Sequence, residues 1–158
     1  MQLENHCVVP ADLETTWNLV TDIPRVASCV PGLQDVTAVG ENNFQGTLKV
    51  RVGPVSLSLA GKIVVIARDH EKREAVYRVE AADRRVGGSV RADMSMRLME
   101  QPDGQTELAI NTDAAFMGKL GELGQPVIRH KARTTMNDFA RNLAKEVSST
   151  HSSSGASA

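Results

Sequence analysis

The chain has 158 residues and a mass of 17.0 kDa, enough for one well-filled core and too little for two. Its 18 Lys and Arg against 19 Asp and Glu, with a pI near 6.4, exclude the charge excess by which a protein neutralises nucleic-acid phosphates. No stretch approaches the roughly 20 apolar residues of a membrane span. The opening residues, with Glu4, Asn5 and His6, lack the basic-then-apolar pattern of an export signal, so a cytosolic chain is expected, with Cys7 and Cys29 as free, buried thiols.

Residues 2–9 alternate, with Leu3, Asn5, Cys7 and Val9 on one face and Gln2, Glu4, His6 and Val8 on the other, which predicts a strand ended by Pro10. Over 11–20 the spacing of Leu13, Trp17 and Val20, with Asp12 and Glu14 in the first turn, predicts a short helix. A second brief helix is expected at 23–29, closed by Pro31-Gly32.

From 33 to 117 the period is two almost throughout. Phe44, Gly46, Leu48, Val50 and Val52 share one face, while Thr47, Lys49 and Arg51 share the other. Gly53-Pro54 turns the chain into Val55, Leu57, Leu59, Gly61, Ile63 and Val65. After the charged turn 68–74 come Ala75, Tyr77 and Val79, and after Gly87-Gly88 come Val90, Ala92, Met94, Met96 and Leu98. Pro102-Asp103-Gly104 leads into Thr106, Leu108, Ile110, Thr112, Ala114 and Phe116. Each strand therefore buries one face and wets the other.

A last helix is predicted over 125–147, started by Pro126 and striped by Ile128, Ala132, Thr135, Met136, Phe139, Leu143 and Val147. The polar stretch 148–158 has nothing to bury and is expected to be a disordered tail outside a single domain of 1–147. The order of elements predicts an α+β fold: a curved antiparallel β-sheet wrapped around a long C-terminal α-helix, with two short N-terminal helices. This is the helix-grip arrangement.

No pairing of nucleophile with base, no carboxylate pair and no metal-ligand spacing stands out, so neither catalytic nor metal-binding residues are assigned. His6 and Cys7 point to opposite faces of a strand, His70 sits in a charged turn and His151 in the tail. His130 falls with Arg129 and Lys131 on the polar side of the last helix. Arg129, Lys131, Arg133, Arg141 and Lys145 give that helix a basic bias, diluted by Asp138 and Glu146, which fits a solvated face or an approach to anionic lipid.

Several of these features, Val9-Pro10-Ala11, Trp17, Asp22, Pro31-Gly32, the Gly46 to Val52 strand, Val52-Gly53-Pro54-Val55, Gly61 and the run from Phe116 to Gly121, resemble the CoxG family of carbon monoxide dehydrogenase subunits. The likeness covers roughly residues 2–147. It implies a START-like helix-grip domain and a non-catalytic accessory protein of the aerobic molybdenum-containing carbon monoxide dehydrogenase. It also implies a place at the inner face of the cytoplasmic membrane, held peripherally.

The inward residues Leu48, Val50, Val52, Leu57, Leu59, Met94, Met96, Ile110, Phe116 and Met136 fit a filled core or a cavity equally well by their pattern; the resemblance implies the cavity. Gly118, Gly121 and Gly124 mark either a plain strand-to-helix junction or a hinged gate. The expected ligand is a hydrophobic molecule that is not covalently held, an isoprenoid quinone such as menaquinone or a lipid, its head held by a polar anchor and its tail in the aliphatic tunnel. Carrying such a ligand would couple the dehydrogenase to the membrane quinone pool. A docking subunit without ligand transport is the alternative, and an enzyme of the cyclase kind would need acid and base groups inside the pocket.

Overall fold

The computed structural model describes the backbone of residues 1–157 and the side chains of residues 1–148. The polar tail expected over 148–158 lies almost wholly outside the residues whose side chains are described. Seven strands form one antiparallel sheet: β1 (Gln2–Val9), β2 (Leu33–Ala38), β3 (Asn43–Val52), β4 (Val55–Asp69), β5 (Glu74–Asp83), β6 (Gly88–Glu100) and β7 (Thr106–Met117). Helices α1 (Leu13–Thr21) and α2 (Ile23–Ala27) follow β1; α3 (Gly118–Gly121) and α4 (Gln125–Ser157) end the chain. The second helix stops two residues earlier than its expected range because Ser28 caps it, its hydroxyl donating to the Arg25 carbonyl at 2.6 Å.

The strand order is β1-β7-β6-β5-β4-β3-β2, so α1 and α2 carry the chain from one edge of the sheet to the other. Every other connection is a hairpin between neighbours. The register is unbroken over the twelve pairs from Ser89↔Met117 to Glu100↔Thr106, which turns Met94, Met96, Leu98, Leu108 and Ile110 to one face. Register slips between Gln34 and Thr37 and between Val65 and Ala67 add local bends to a twisted sheet, and the sheet curls around α4.

Burial divides into two packed clusters. The larger gathers Val9, Trp17, Leu19, Leu98, Leu108, Leu143 and Val147 beneath the C-terminal half of α4, with Leu19, Leu108 and Leu143 fully enclosed. The smaller gathers Val52, Leu57, Leu59 and Leu120 around α3 and the β3–β4 hairpin. Each fully buried Leu adds about 2 kcal/mol, so the first cluster carries more of the stability.

Two polar devices close the ends. Arg73 lies over the Trp17 ring with its guanidinium 6.0 Å from the centroid and pairs with Glu14, which also takes the His70 Nε2 at 3.1 Å. The hydrogen bond from His70 and then the charge of Arg73 hold the Glu14 carboxyl below its usual range. At the other end the carboxylate of Asp83, 4% exposed, accepts from the backbone N–H groups of Ser58 at 2.7 Å and of Arg85 and Val86 at 2.9 Å.

Those backbone bonds hold the Asp83 carboxyl below its ordinary value. Its contribution is complete above the range where an unfolded aspartate ionises, about pH 4, and is lost as the pH falls through the lower folded value. Asp83→Ala is therefore expected to lower the melting temperature at neutral pH, and the gap to the unaltered chain to narrow below about pH 4. Circular dichroism melts across that range check this; a gap independent of pH would assign the effect to lost packing alone.

Candidate functional site

The two clusters do not meet. Between them lies a cavity of about 380 Å³, bounded by β1, β7, β6, β4 and β3 on the sheet side and by α4 across the top. Its walls are overwhelmingly apolar, and its volume falls within the roughly 300–1,000 Å³ of small-molecule sites. Along α4 the lining runs from Ile128 to Phe139, about 16 Å of helix.

Most of the residues expected to bind a ligand converge here: Leu48, Val50 and Val52 from β3, Leu59 from β4, Met94 from β6, Ile110 and Phe116 from β7, and Met136 from α4. Leu57 and Met96 do not. Leu57, 3% exposed, packs in the cluster around Leu120, and Met96, 6% exposed, packs in the larger one. Both have the inward phase, but they sit one layer beyond the cavity at opposite ends.

The lining also includes residues that had no assigned role. Leu3 and Asn5 come from β1, Val30 from the loop before β2, Leu120 from α3, and Thr112 from β7. The inward phase of Leu3, Asn5 and Thr112 was readable from the alternation; that polar side chains would reach the cavity was the missed signal. Lys131 needs a correction. It is half-buried on the cavity wall instead of lying on the solvated side with Arg129 and His130, which are exposed. Lys131 also borders a shallow shelf outside, formed with Arg51, Gly53, Pro126, Val127 and His130, so it stands at the lip between the two.

Helix α4 is fastened unevenly above this space. Its C-terminal half is tied to α2 by the Arg25–Glu146 pair at 3.0 Å and to the following loop by Asn142 Nδ2, which donates to the Cys29 carbonyl at 2.9 Å. Its N-terminal half reaches β1, where the Arg129 guanidinium donates to the Gln2 carbonyl at 2.9 Å. Contact with β3 is sparser than with β1, which leaves the lip on the β3 side.

The three glycines before α4 differ. A Cβ on Gly118 would fall 1.8 Å from the Gly87 carbonyl oxygen, and one on Gly121 would fall 2.5 Å from that of Phe116, so both permit tight packing. Gly124, at φ +86°, has no such crowding and immediately precedes α4.

Of the ionisable groups among the described residues, Lys131 alone lines the cavity. Cys7 faces inward nearby, but burial, with the charge of Glu107 adding to it, pushes its thiol up to about 11, and burial also raises Cys29. Among the described residues no three His, Cys, Asp or Glu side chains gather as metal ligands would. The arrangement can enclose an apolar body and hydrogen bond to a polar part of it.

A broader depression of about 770 Å³ lies on the outer sheet face. There Lys62 and Arg91 pair with Glu80 at 3.8 and 3.3 Å.

The sequence pattern of the CoxG family of carbon monoxide dehydrogenase subunits matches residues 6–148. No curated protein sequence matches the chain. Among solved structures, a conserved protein from Geobacillus kaustophilus superposes with a TM-score of 0.86 at 19% identity, covering 95% of this chain and 97% of its own. A START superfamily protein from Mycobacterium smegmatis gives 0.69 at 13% identity, over 94% of this chain and 98% of its own. The Zhui aromatase/cyclase from Streptomyces sp. R1128 gives 0.65 at 15%, over 93% and 95%. At these identities the likeness shows the START-like helix-grip fold.

A cavity wall and a filled core respond differently to truncation. Leu108→Ala, which opens a void in the larger cluster, is expected to cost about 3 kcal/mol. Val50→Ala enlarges a space already open and is expected to cost about 1 kcal/mol or less. Urea denaturation midpoints measure both; equal losses would mean that the β3 wall is packed as tightly as the core.

Proposed function

This chain belongs to the CoxG family of carbon monoxide dehydrogenase subunits, and we propose that it is a non-catalytic carrier of a hydrophobic ligand, an isoprenoid quinone such as menaquinone. In this reading it couples the aerobic molybdenum-containing carbon monoxide dehydrogenase to the quinone pool of the membrane. The observation that carries the reading is the apolar cavity of about 380 Å³ left between two otherwise well-packed clusters. A solvent-open pocket lined by Leu, Val, Ile, Met and Phe leaves apolar surface in water unless something covers it.

The dehydrogenase must pass electrons onward, and quinones with isoprenoid tails are poorly soluble in water. A cavity that shields the apolar part solves that transport problem. Among the described residues the wall's one ionisable side chain is Lys131, with no carboxylate, imidazole or thiol beside it to form an acid–base pair, which favours binding over the ring chemistry named for the Streptomyces neighbour.

The membrane contact proposed is peripheral: among the described residues no helix is long and apolar enough to cross a bilayer. Arg51 and Lys131 at the lip would supply the charge for anionic headgroups, each contributing about 1 kcal/mol near such a surface. The gate proposed for ligand access is the N-terminal half of α4, with Gly124 as the point of flexure.

Mass spectrometry of an organic extract from freshly purified protein is expected to recover a quinone. Val50→Trp and Leu59→Trp, each placing a large ring inside the cavity, are expected to reduce quinone uptake at least tenfold in a folded protein. An empty extract together with no binding on titration would overturn the carrier reading.

A further inference from the structure

Apart from Lys131 at the lip, the polar side chains of the cavity wall gather at one level. Thr112 on β7 faces Leu3 on β1 in the sheet register, and Asn5 pairs with Ile110, so Asn5 and Thr112 are diagonal neighbours on the inner face, about 7 Å apart at Cβ. Helix α4 runs beside β1 in the same direction, in step from the Arg129 bond to Gln2. Three strand residues from Gln2 to Asn5 advance about 10 Å, and six helical residues from Arg129 to Thr135 advance about 9 Å. Asn5, Thr112 and Thr135 thus meet the cavity at a common depth, and all three line it.

None of the three side chains hydrogen bonds to a described residue. Other enclosed threonines in this protein do. The Thr16 hydroxyl donates to the Asp12 carbonyl at 2.8 Å, and that of Thr106 to the Ala11 carbonyl at 2.8 Å. Thr134, next along the helix, donates to the Lys131 carbonyl at 3.1 Å, whereas Thr135 makes no such bond and turns to the cavity. Thr112 is only 8% exposed as a residue, yet its hydroxyl, like the polar atoms of Asn5 and Thr135, is open to the cavity, where water or a ligand can complete it.

Resting on the carrier reading, we infer that Asn5, Thr112 and Thr135 form the subsite for the ligand's head, a flat ring bearing two hydrogen-bonding oxygens. Each of the three side chains can both donate and accept: the amide through Nδ2 and Oδ1, the hydroxyls through rotation. They can donate to the two carbonyl oxygens of a quinone and accept from the two hydroxyls of a quinol. A subsite built from Lys or Arg would donate only, and one of carboxylates would accept only. This one holds both oxidation levels, as a carrier that loads in one form and unloads in the other requires. The tail then lies towards Val52, Phe116 and Leu120, where Lys131 at the lip is the one polar side chain of the wall among the described residues.

The test titrates the full chain with a naphthoquinone bearing two isoprene units, with its quinol under anaerobic reduction, and with the same hydrocarbon lacking ring oxygens. Thr112→Val and Thr135→Val preserve shape and are expected to weaken quinone and quinol about 3- to 10-fold each, with Asn5→Leu at the upper end. Hydrocarbon binding is expected to hold or strengthen, and the ligand-free melting temperature of the valine variants to change little. Quinone and hydrocarbon losing affinity together, quinone binding indifferent to the substitutions, or valine variants that melt earlier would each overturn the subsite while leaving the carrier reading in place. An unaltered chain that binds neither quinone nor hydrocarbon overturns the carrier reading, and the subsite with it.

Discussion

Helix α4 covers the middle of the concave sheet face, and the way it is fastened decides how the interior fills. Its C-terminal half is seated through Leu143 and Val147, 0% and 1% exposed, and flanked by the Asn142 and Arg25–Glu146 ties. Its N-terminal half presents Ala132, Thr135 and Met136 to a sheet wall that curves away from it. Short side chains at 132 and 135 cannot span that gap, and a flexible Met can line it without filling it. Two well-packed clusters separated by a hollow follow from this distribution of side-chain length along one helix.

The hollow sets stability against function. The apolar wall left facing water weakens the ligand-free state, and so do the dispersion contacts that an open pocket lacks. The surroundings tolerate this because the centre of the main cluster lies off the cavity: Leu19, Leu108 and Leu143 are fully buried and do not line it, while Met94, Ile110 and Phe139 join cluster margin and cavity wall. Asp83 and the Glu14–His70–Arg73 group fix the turns at the two ends with hydrogen bonds that do not involve the cavity. A ligand then adds stability by mass action in proportion to its concentration over its Kd, without being needed for folding.

Much of this was legible in the sequence because two signals were strong. Period-two alternation from Leu48 to Phe116 assigns the inner face, and a one-residue error would have turned every apolar side chain to water. The stripe from Ile128 to Val147 assigns the helix face in the same way. Position along the strand is a different matter: Leu57 and Leu59 share phase, chemistry and burial in the cluster with Leu120, yet of the two only Leu59 also borders the cavity. Lys131 was misplaced because a long amphipathic side chain at the margin of a stripe can turn to either side. Asn5 and Thr135 were assigned inward by period, yet an apolar average conceals isolated polar members.

The proposed gate also follows from the uneven fastening. Gly118 forms an isolated bridge with Gly88, and the backbone N–H of Lys119 donates to the Gly87 carbonyl at 3.2 Å, so α3 is pinned to β6 and moves with the sheet. Flexure is left to Gly124, beyond that anchor. An α-helix is stiff, so α4 would tilt as a lever about its seated half near Leu143. Val127 lies about 24 Å from that pivot and Thr135 about 12 Å, at 1.5 Å per residue. A tilt of about 10° would lift the lip near Val127 by about 4 Å but displace Thr135 by only about 2 Å. In the proposed gate the lip would open at the cost of the Arg129 bond to the Gln2 carbonyl, while the polar level would stay closer to its place on the sheet. A ligand held by its head at that depth would remain bound while its tail passes the opening, and release would require the larger tilt that separates Thr135 from its two partners on the sheet.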